Sequence, residues 1–185
     1  IPSATRRAAR ETAMIDSHCH IDMPQFDPDR DEVVARAREA GVTNMLIVGG
    51  VDAEGGHQRA LRVAQQLGFP CSAGVHPHEA RLYTDDIDGE LRGLARDRLI
   101  VAIGEIGLDF HYDHSPREKQ IEVLEWMLDC AARLRLPVLL HNRESGREML
   151  AALERRGPRQ DAAVFHSFTE DSAYGAKAIG LGYLV

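Results

Sequence analysis

Short apolar runs rich in β-branched residues alternate along this chain with segments that have helical periodicity. Each strand-plus-helix unit takes about 25 to 30 residues, a spacing typical of parallel strands joined by helical crossovers. The pattern therefore predicts an α/β protein with a parallel sheet. The predicted strands cover residues 14–17, 44–48, 71–75, 100–103, 138–140, 163–165 and 182–185.

Helix boundaries are marked by capping residues and by proline. Residues 115–118 read Ser-Pro-Arg-Glu, which has the pattern of a capping box with proline in the first helical turn. Pro137 bars continuation of the helix that this segment opens. The apolar face predicted for that helix is formed by Ile121, Leu124, Leu128 and Ala131.

Two architectures are compatible with alternating strands and helices: an open doubly wound sheet and a closed (β/α)8 TIM barrel. No G-x-G-x-x-G or G-x-x-x-x-G-K-[ST] sequence follows a predicted strand, which removes the usual nucleotide-binding reason for an open sheet. Histidine positions favour the barrel, because at least five of the nine histidines stand at or just beyond the carboxyl ends of predicted strands. Catalytic residues of TIM barrels occupy that rim.

The chain is shorter than a complete barrel of this kind. A TIM barrel typically takes about 250 residues, whereas this chain has 185. We therefore expect a C-terminally truncated (β/α)8 barrel, with about seven strands, over residues 14–185. Residues 1–13 contain three arginines and no apolar stretch, and we expect them to form a disordered extension, with an organellar transit peptide as the alternative.

The chemistry at the predicted rim suits a metal. His18 and His20 are two residues apart on a strand, so their imidazoles share a face and can reach one cation. Imidazole combined with carboxylate suits transition metals, and a carboxylate can bridge two cations about 3.5–4 Å apart. The partners on other strands are Glu105, His141 and His166. Each also has a structural alternative: an ion pair of Glu105 with Arg143, a hydrogen-bonded core role for His141, and helix capping by His166.

The motifs at these positions resemble those of the TatD family of metal-dependent deoxyribonucleases. They read D-S-H-C-H-I-D at 16–22, G-V-H-P-H at 74–78, G-E-I-G-L-D-F at 104–110, H-Y-D-H-S-P-R-E at 111–118, L-H-N-R at 140–143 and F-H-S-F at 165–168. The resemblance implies a TIM barrel, two divalent cations (Mg, Mn or Zn) and hydrolysis of DNA phosphodiester bonds.

The resemblance also implies roles for individual residues. His18 and His20 would hold one metal, Glu105 would bridge both and act in catalysis, and His141 and His166 would hold the second. The family's further ligand, an aspartate in an E-T-D-like stretch, has no counterpart in this sequence, which raises doubt about the activity of these 185 residues alone. Imidazole and guanidinium groups can donate to phosphate oxygens. On that ground the candidate substrate-binding residues are His76, His78, His111 and Arg143.

Composition limits the partners. The net charge of −7 argues against a wide electrostatic contact with nucleic acid, although metal cations can supply positive charge locally. No apolar run approaches the roughly 18 residues of a membrane span, and no protein partner is evident. Three widely spaced cysteines favour a reducing, cytoplasmic setting. The alternatives to a deoxyribonuclease are a hydrolase of a small ester or amide and a truncated, non-catalytic metal-binding product.

Overall fold

The structure, a computed structural model, describes residues 13–158 and 162–185. The predicted extension over residues 1–13 lies outside these ranges except for Ala13. Six strands and six α-helices alternate along the described chain. The strands are β1 (Met14–Cys19), β2 (Val42–Gly50), β3 (Cys71–Gly74), β4 (Ala102–Asp109), β5 (Val138–Arg143) and β6 (Ala163–Phe165), and the helices are α1 (Arg30–Glu39), α2 (Gly56–Leu67), α3 (Asp85–Arg96), α4 (Arg117–Leu134), α5 (Gly146–Arg156) and α6 (Ser172–Gly180).

The six strands form one parallel sheet in which each strand pairs with its neighbour in sequence. A doubly wound sheet would reverse its strand order at a switch point, whereas a (β/α)8 barrel keeps sequential order. The predicted α/β class with a parallel sheet is confirmed. The predicted strand at 182–185 is present as a single parallel bridge between Leu184 and Val164.

Both faces of the sheet are covered by apolar side chains, as parallel sheets require. On the helix side, Ile47 of β2 packs with Ala60 and Val63 of α2. On the opposite side, Val48, Ala102 and Leu139 form a separate buried cluster. No helix in the described ranges is long and apolar enough to cross a lipid bilayer.

Strand β4 contains an irregularity that changes the direction of its side chains. Ile103 pairs with Val138 and Ile106 pairs with Leu140, so three steps along β4 match two steps along β5. This extra residue is the signature of a β-bulge, which can re-aim a side chain. Ile103 and Ile106 both belong to the large core cluster that includes α4. Glu105, between them, contacts the histidines of other strands at the rim.

The start of α4 differs from the prediction. The helix begins at Arg117 after Pro116 and has no side-chain cap, so the predicted capping box at 115–118 is wrong. The Ser115 hydroxyl instead donates to the carbonyl of His78 (2.8 Å) and accepts from the backbone N–H of Arg81 (3.2 Å). The local sequence pattern could not indicate these partners of Ser115, because they lie more than 30 residues away in the chain. Through these bonds Ser115 joins the loop after β4 to the segment after β3.

The cysteines are all free thiols. Burial raises the pKa of Cys19 to about 11 and that of Cys71 to about 12. A thiol with a raised pKa is a poor nucleophile and a poor metal ligand, because both roles require the thiolate. Cys19 and Cys71 therefore contribute to packing.

Gly107 gives a test of the close approach between β4 and β5. Its φ is +152°, and a Cβ atom at this position would lie 1.9 Å from the backbone oxygen of His141. We expect Gly107→Ala to destabilise the fold by about 3 kcal/mol or more, through strain and overpacking. Equilibrium urea unfolding would measure this difference.

The matched control is Gly93→Ala, in the interior of α3, where a Cβ atom would meet nothing within 4 Å. Replacing a helical glycine by alanine stabilises by about 0.5–1 kcal/mol, so this variant should unfold at higher urea than the wild type. Equal midpoints for the two alanine variants would contradict the proposed close approach.

Candidate metal centre

The imidazole rings of His18 and His20 lie next to each other at the carboxyl end of β1. The Nε2 atoms of His18 and His20 lie 3.2 Å apart. The Nδ1 atom of His20 lies 3.2 Å from the carbonyl oxygen of Val48, and because a carbonyl only accepts, this nitrogen is the donor of the pair and Nε2 is the ring nitrogen that faces His18. The two-residue spacing thus places both rings on one side of the strand.

Glu105 lies at the centre of the site with its two carboxylate oxygens facing different histidines. Oε2 lies 3.4 Å from His18 Nε2 and 4.0 Å from His76 Nε2. Oε1 lies 3.1 Å from His141 Nδ1. Burial raises the pKa of this carboxyl group, but the interactions with His141 and His18 outweigh it and lower the pKa overall. The group is therefore an ionised carboxylate with both oxygens directed at nitrogen donors.

Two sets of three side chains around Glu105 have the geometry to hold a metal. In each set the candidate ligand atoms lie within 4.8 Å of one another. One set is His18, Glu105 and His166, and the other is His76, Glu105 and His141. A carboxylate and two imidazoles suit divalent transition metals, and a buried imidazole nitrogen of His18, Nδ1, has no hydrogen-bond partner among the described residues. The side chains present therefore fit two cations that share one carboxylate.

The grouping of the histidines differs from the one the sequence predicted. His166 was expected to share a cation with His141, but its ring stacks on that of His18, with centroids 3.5 Å apart and planes 11° from parallel. His18 lies near the carboxyl end of β1 and His166 follows β6, and these are the two edge strands of the sheet. The stacking shows that the sheet curls until these edges face each other at the rim. Across the same rim, His76 comes within 4.6 Å of His141, ring centre to ring centre.

The imidazoles of the two sets differ in how readily they take up a proton. Burial lowers the pKa of His76 to about 3, and burial together with His18 lowers the pKa of His166. Burial acts in the same direction on His141, but the nearby Glu105 and Asp109 carboxylates outweigh it and raise the pKa. A neutral imidazole is the form that ligates a metal. His76 and His166 are therefore held in the ligating form.

Asp109 at the end of β4 holds several of these groups in place. Its Oδ2 atom lies 2.9 Å from His78 Nε2 and 3.0 Å from His141 Nε2. Its Oδ1 atom accepts from the backbone N–H groups of His111 and Tyr112. Burial raises the pKa of Asp109, but these hydrogen bonds outweigh it and lower the pKa to about 2. The carboxylate thus orients His141, as residues around metal ligands commonly do.

The candidate substrate-binding residues occupy different positions. His76 lies among the possible ligands, and His78 is bound to Asp109. His111 is exposed, and its Nδ1 atom lies 2.7 Å from Glu144 Oε1. The guanidinium carbon of Arg143 lies 4.8 Å from the ring centre of Tyr112. Of these four residues, Arg143 and His76 line a cavity of about 540 Å³ beside Glu105.

The structural alternatives for two candidate ligands are not observed. The ion-pair partners of Glu105 among the described residues are histidines, and Arg143 is not one of them. Helix α6 is capped by Asp171, whose side chain accepts from the N–H of Tyr174 at 2.8 Å, so His166 is free of that role. His141 is hydrogen-bonded, as expected for the core role that was its alternative. Its partners, however, are the carboxylates of Glu105 and Asp109 within the site.

Asn142 and Glu170, to which the sequence pattern gives no role in the site, connect the ligand-bearing loops. The Asn142 side chain donates to Glu170 Oε1 (2.8 Å) and accepts from the Ser145 hydroxyl (2.7 Å). Asn142 follows His141, and Glu170 lies four residues after His166. Its position next to a candidate ligand was the available signal for Asn142. Nothing in the local pattern indicated Glu170.

The fold and the site define a parallel β/α protein with a candidate metal centre at the carboxyl ends of its strands. The family model described as TatD related DNase matches residues 15–185. Relatives named 3'-5' ssDNA/RNA exonuclease TatD are similar in sequence. The one from Erwinia amylovora is 44% identical over 158 residues, covering 84% of this chain and 60% of the relative. The one from Pantoea vagans is 43% identical over 170 residues, covering 91% and 65%.

Solved structures agree with this assignment. The TatD homolog YjjV from Escherichia coli superimposes with a TM-score of 0.83 at 31% identity, covering 94% of this chain and 67% of that one. A TatD family hydrolase from Entamoeba histolytica has a TM-score of 0.80 at 21% identity, covering 92% and 63%, which supports the fold. The chain belongs to the TatD-related DNase family. It spans about 60% of the length of the Erwinia relative.

Metal uptake tests the shared position of Glu105. Because both candidate sets contain this carboxylate and only one contains His166, Glu105→Gln should lower Mn²⁺ uptake further than His166→Ala does. Elemental analysis after dialysis would give the stoichiometry. The exposed His111, replaced by alanine, serves as control and should leave uptake unchanged. An undiminished metal content in Glu105→Gln would contradict a shared carboxylate.

Acid sensitivity without metal tests the contacts of Asp109. Its pKa is about 2 in the folded protein and about 3.9 in an unfolded chain. A depressed carboxyl pKa stabilises the fold above the unfolded value, and this contribution is lost as pH falls from about 4 through about 2. Urea unfolding in EDTA should show that the wild type loses about 2 kcal/mol more than Asp109→Asn over this window. Parallel losses in both proteins would contradict the assignment.

Proposed function

We propose that the protein hydrolyses phosphodiester bonds of DNA with two divalent cations, Mg²⁺, Mn²⁺ or Zn²⁺. The observation that supports this most directly is the buried Glu105 carboxylate, which faces histidines of two candidate ligand sets with its two oxygens. Cations held there would supply Lewis-acid chemistry: polarisation of a phosphate, activation of a water molecule and stabilisation of the leaving oxygen.

In this proposal the protein's own side chains hold and orient the reacting groups. Glu105, which belongs to both candidate sets, would contribute a ligand to each cation. The imidazoles of His18, His20 and His166 surround one position, and those of His76 and His141 surround the other. Asp109 fixes the orientation of the His141 ring through the 3.0 Å contact between its Oδ2 atom and His141 Nε2. Glu105 is ionised and His76 and His166 are neutral, so these three side chains would need no proton loss before a cation binds. The pKa of His141 is raised, so a cation would have to displace a proton from this ring.

The cavity beside Arg143 supports a phosphate-bearing substrate. Its lining residues are Arg143, Asn142, Ser167 and Thr169, together with His76, Glu105, His141 and His166. Guanidinium, amide and hydroxyl groups donate hydrogen bonds to phosphate oxygens. Its place in this cavity supports Arg143 as a phosphate contact, and Arg143, His78 and His111 all pack against the Tyr112 ring. A contact of this kind is local and is compatible with the acidic chain.

The Erwinia and Pantoea relatives are named 3'-5' ssDNA/RNA exonuclease TatD, and this name extends the proposal to the ends of single strands. A small ester or amide is the competing substrate class, because the same metal chemistry would serve it. A metal-binding product without activity is the other alternative. Both alternatives are outcomes of the cleavage assay.

Chelator-sensitive cleavage is the expected result. The full-length protein with Mn²⁺ should shorten labelled single-stranded DNA, EDTA should stop the reaction, and Glu105→Gln should reduce the rate by about a thousandfold or more, since the loss of a metal bridge removes several kcal/mol of transition-state stabilisation. Glu154→Gln, an exposed glutamate on α5, is the matched control and should cleave like the wild type. Hydrolysis of a small ester or amide with no cleavage of DNA would overturn the proposal.

A further inference from the structure

Two cavities adjoin the candidate metal centre and share Glu105 and His76 in their walls. One is the cavity beside Arg143 and is named here the donor cavity. The other, named the acidic cavity, has a volume of about 250 Å³. It is bordered by His20, Asp22, Met23, Val51, Asp52 and Arg59 among its lining residues. A substrate bound at Glu105 therefore has space on two sides.

The two cavities differ in charge. Apart from Glu105, the donor cavity contains no carboxylate and has the guanidinium of Arg143. The acidic cavity contains the carboxylates of Asp22, Asp52 and Glu79 against one guanidinium, that of Arg59. Phosphate groups are favoured in the first and repelled from the second, whereas hydroxyl donors suit the second.

Asp22 supplies the specific acceptor in the acidic cavity. It is 3% exposed, and its Oδ1 atom has no hydrogen-bond partner among the described residues. Its Oδ2 atom lies 3.6 Å from Nε of Arg59, whose Nη2 atom lies 3.9 Å from Asp52 Oδ2. A buried acceptor left without a donor is unfavourable. Asp22 therefore holds a buried, unsatisfied carboxylate oxygen in the wall of the cavity, and a donor that reached it on a small side-chain movement would supply the missing hydrogen bond.

The 3' end of a nucleic acid strand has the complementary chemistry. Its last sugar carries a free hydroxyl where every internal sugar carries a phosphate. The acidic cavity is slightly smaller than the roughly 300–1,000 Å³ of pockets for drug-sized ligands, so it offers room for one nucleotide rather than a strand. Met23, Val48 and Val51 give it an apolar wall against which a base can pack.

We propose that the acidic cavity receives the 3'-terminal nucleotide and that Asp22 accepts a hydrogen bond from its free sugar hydroxyl. The scissile phosphate then lies at Glu105 and the remaining strand extends over the donor cavity. Asp22 is thus a specificity-determining residue that selects a free 3' end. This inference rests on the proposed nuclease function and adds the direction in which the strand lies.

The test compares three single-stranded DNA oligonucleotides of one sequence, labelled at the 5' end and terminated by a 3'-hydroxyl, a 3'-deoxy sugar or a 3'-phosphate. With Mn²⁺ and the full-length protein, kcat/KM for the hydroxyl end should exceed that for the deoxy end by about ten- to a hundredfold, since a hydrogen bond to a charged acceptor is lost. The phosphate end should be the poorest substrate. Asp22→Ala should bring the hydroxyl-to-deoxy ratio close to one by slowing the hydroxyl end alone.

Two further variants make the result specific. Asp22→Asn keeps the side-chain volume and one acceptor and should give an intermediate ratio, which also covers the case in which the alanine variant does not fold. Asp27→Ala removes an exposed carboxylate from the same segment, one that pairs with Arg30 and lies outside the acidic cavity. Its ratio should equal that of the wild type.

Failure of the inference is distinguishable from failure of the proposed function. Equal rates of the wild type on hydroxyl and deoxy ends, or equal slowing of all three ends by Asp22→Ala, would overturn the role of Asp22 while cleavage itself persists. If no oligonucleotide is cleaved, the proposed function fails, and calorimetry then tests Asp22 directly. Tighter binding of thymidine 5'-monophosphate than of its 3'-deoxy analogue, lost in Asp22→Ala, would support the hydroxyl contact, and equal binding would overturn it.

Discussion

The geometry of the site depends on the position of one buried carboxylate. Removing a charge from water costs several kcal/mol unless partners compensate, and Glu105 is 5% exposed. Its compensation comes from imidazoles carried by other strands, above all His141 and His18. The bulge in β4 makes this position possible, because it keeps Ile103 and Ile106 in the core while Glu105 meets the histidines.

Hydrogen bonds between loops stabilise this arrangement at the rim. Gln120 of α4 accepts from the backbone N–H of Asp109 and donates to the carbonyl of Ser115. Asp109 in turn contacts His78 and His141. A helix on the outside of the sheet is thereby connected to side chains at the candidate metal centre. Because Asp109 bonds both to Gln120 and to the histidines, a substitution in α4 that moves Gln120 would also move side chains at the candidate metal centre.

Much of this could be predicted from the sequence, for physical reasons that are visible in particular residues. Alternation of strands and helices predicted the parallel sheet, and the two-residue spacing of His18 and His20 predicted their common face. The grouping of His166 with His18 could not be predicted, because it depends on how far the sheet curls. Ser115 was misassigned because its partners lie in the segment after β3. The unpartnered oxygen of Asp22 likewise results from packing between distant segments.

The order of the ligands along the chain has a consequence for how the centre assembles during synthesis. A chain leaves the ribosome from its N-terminus, and domains fold as their segments emerge. The set of His76, Glu105 and His141 is complete once β5 has been made. The set that contains His18 has to wait for His166, which follows β6. The two candidate ligand sets are therefore completed one after the other, and the set that uses the earliest histidine is the later to form.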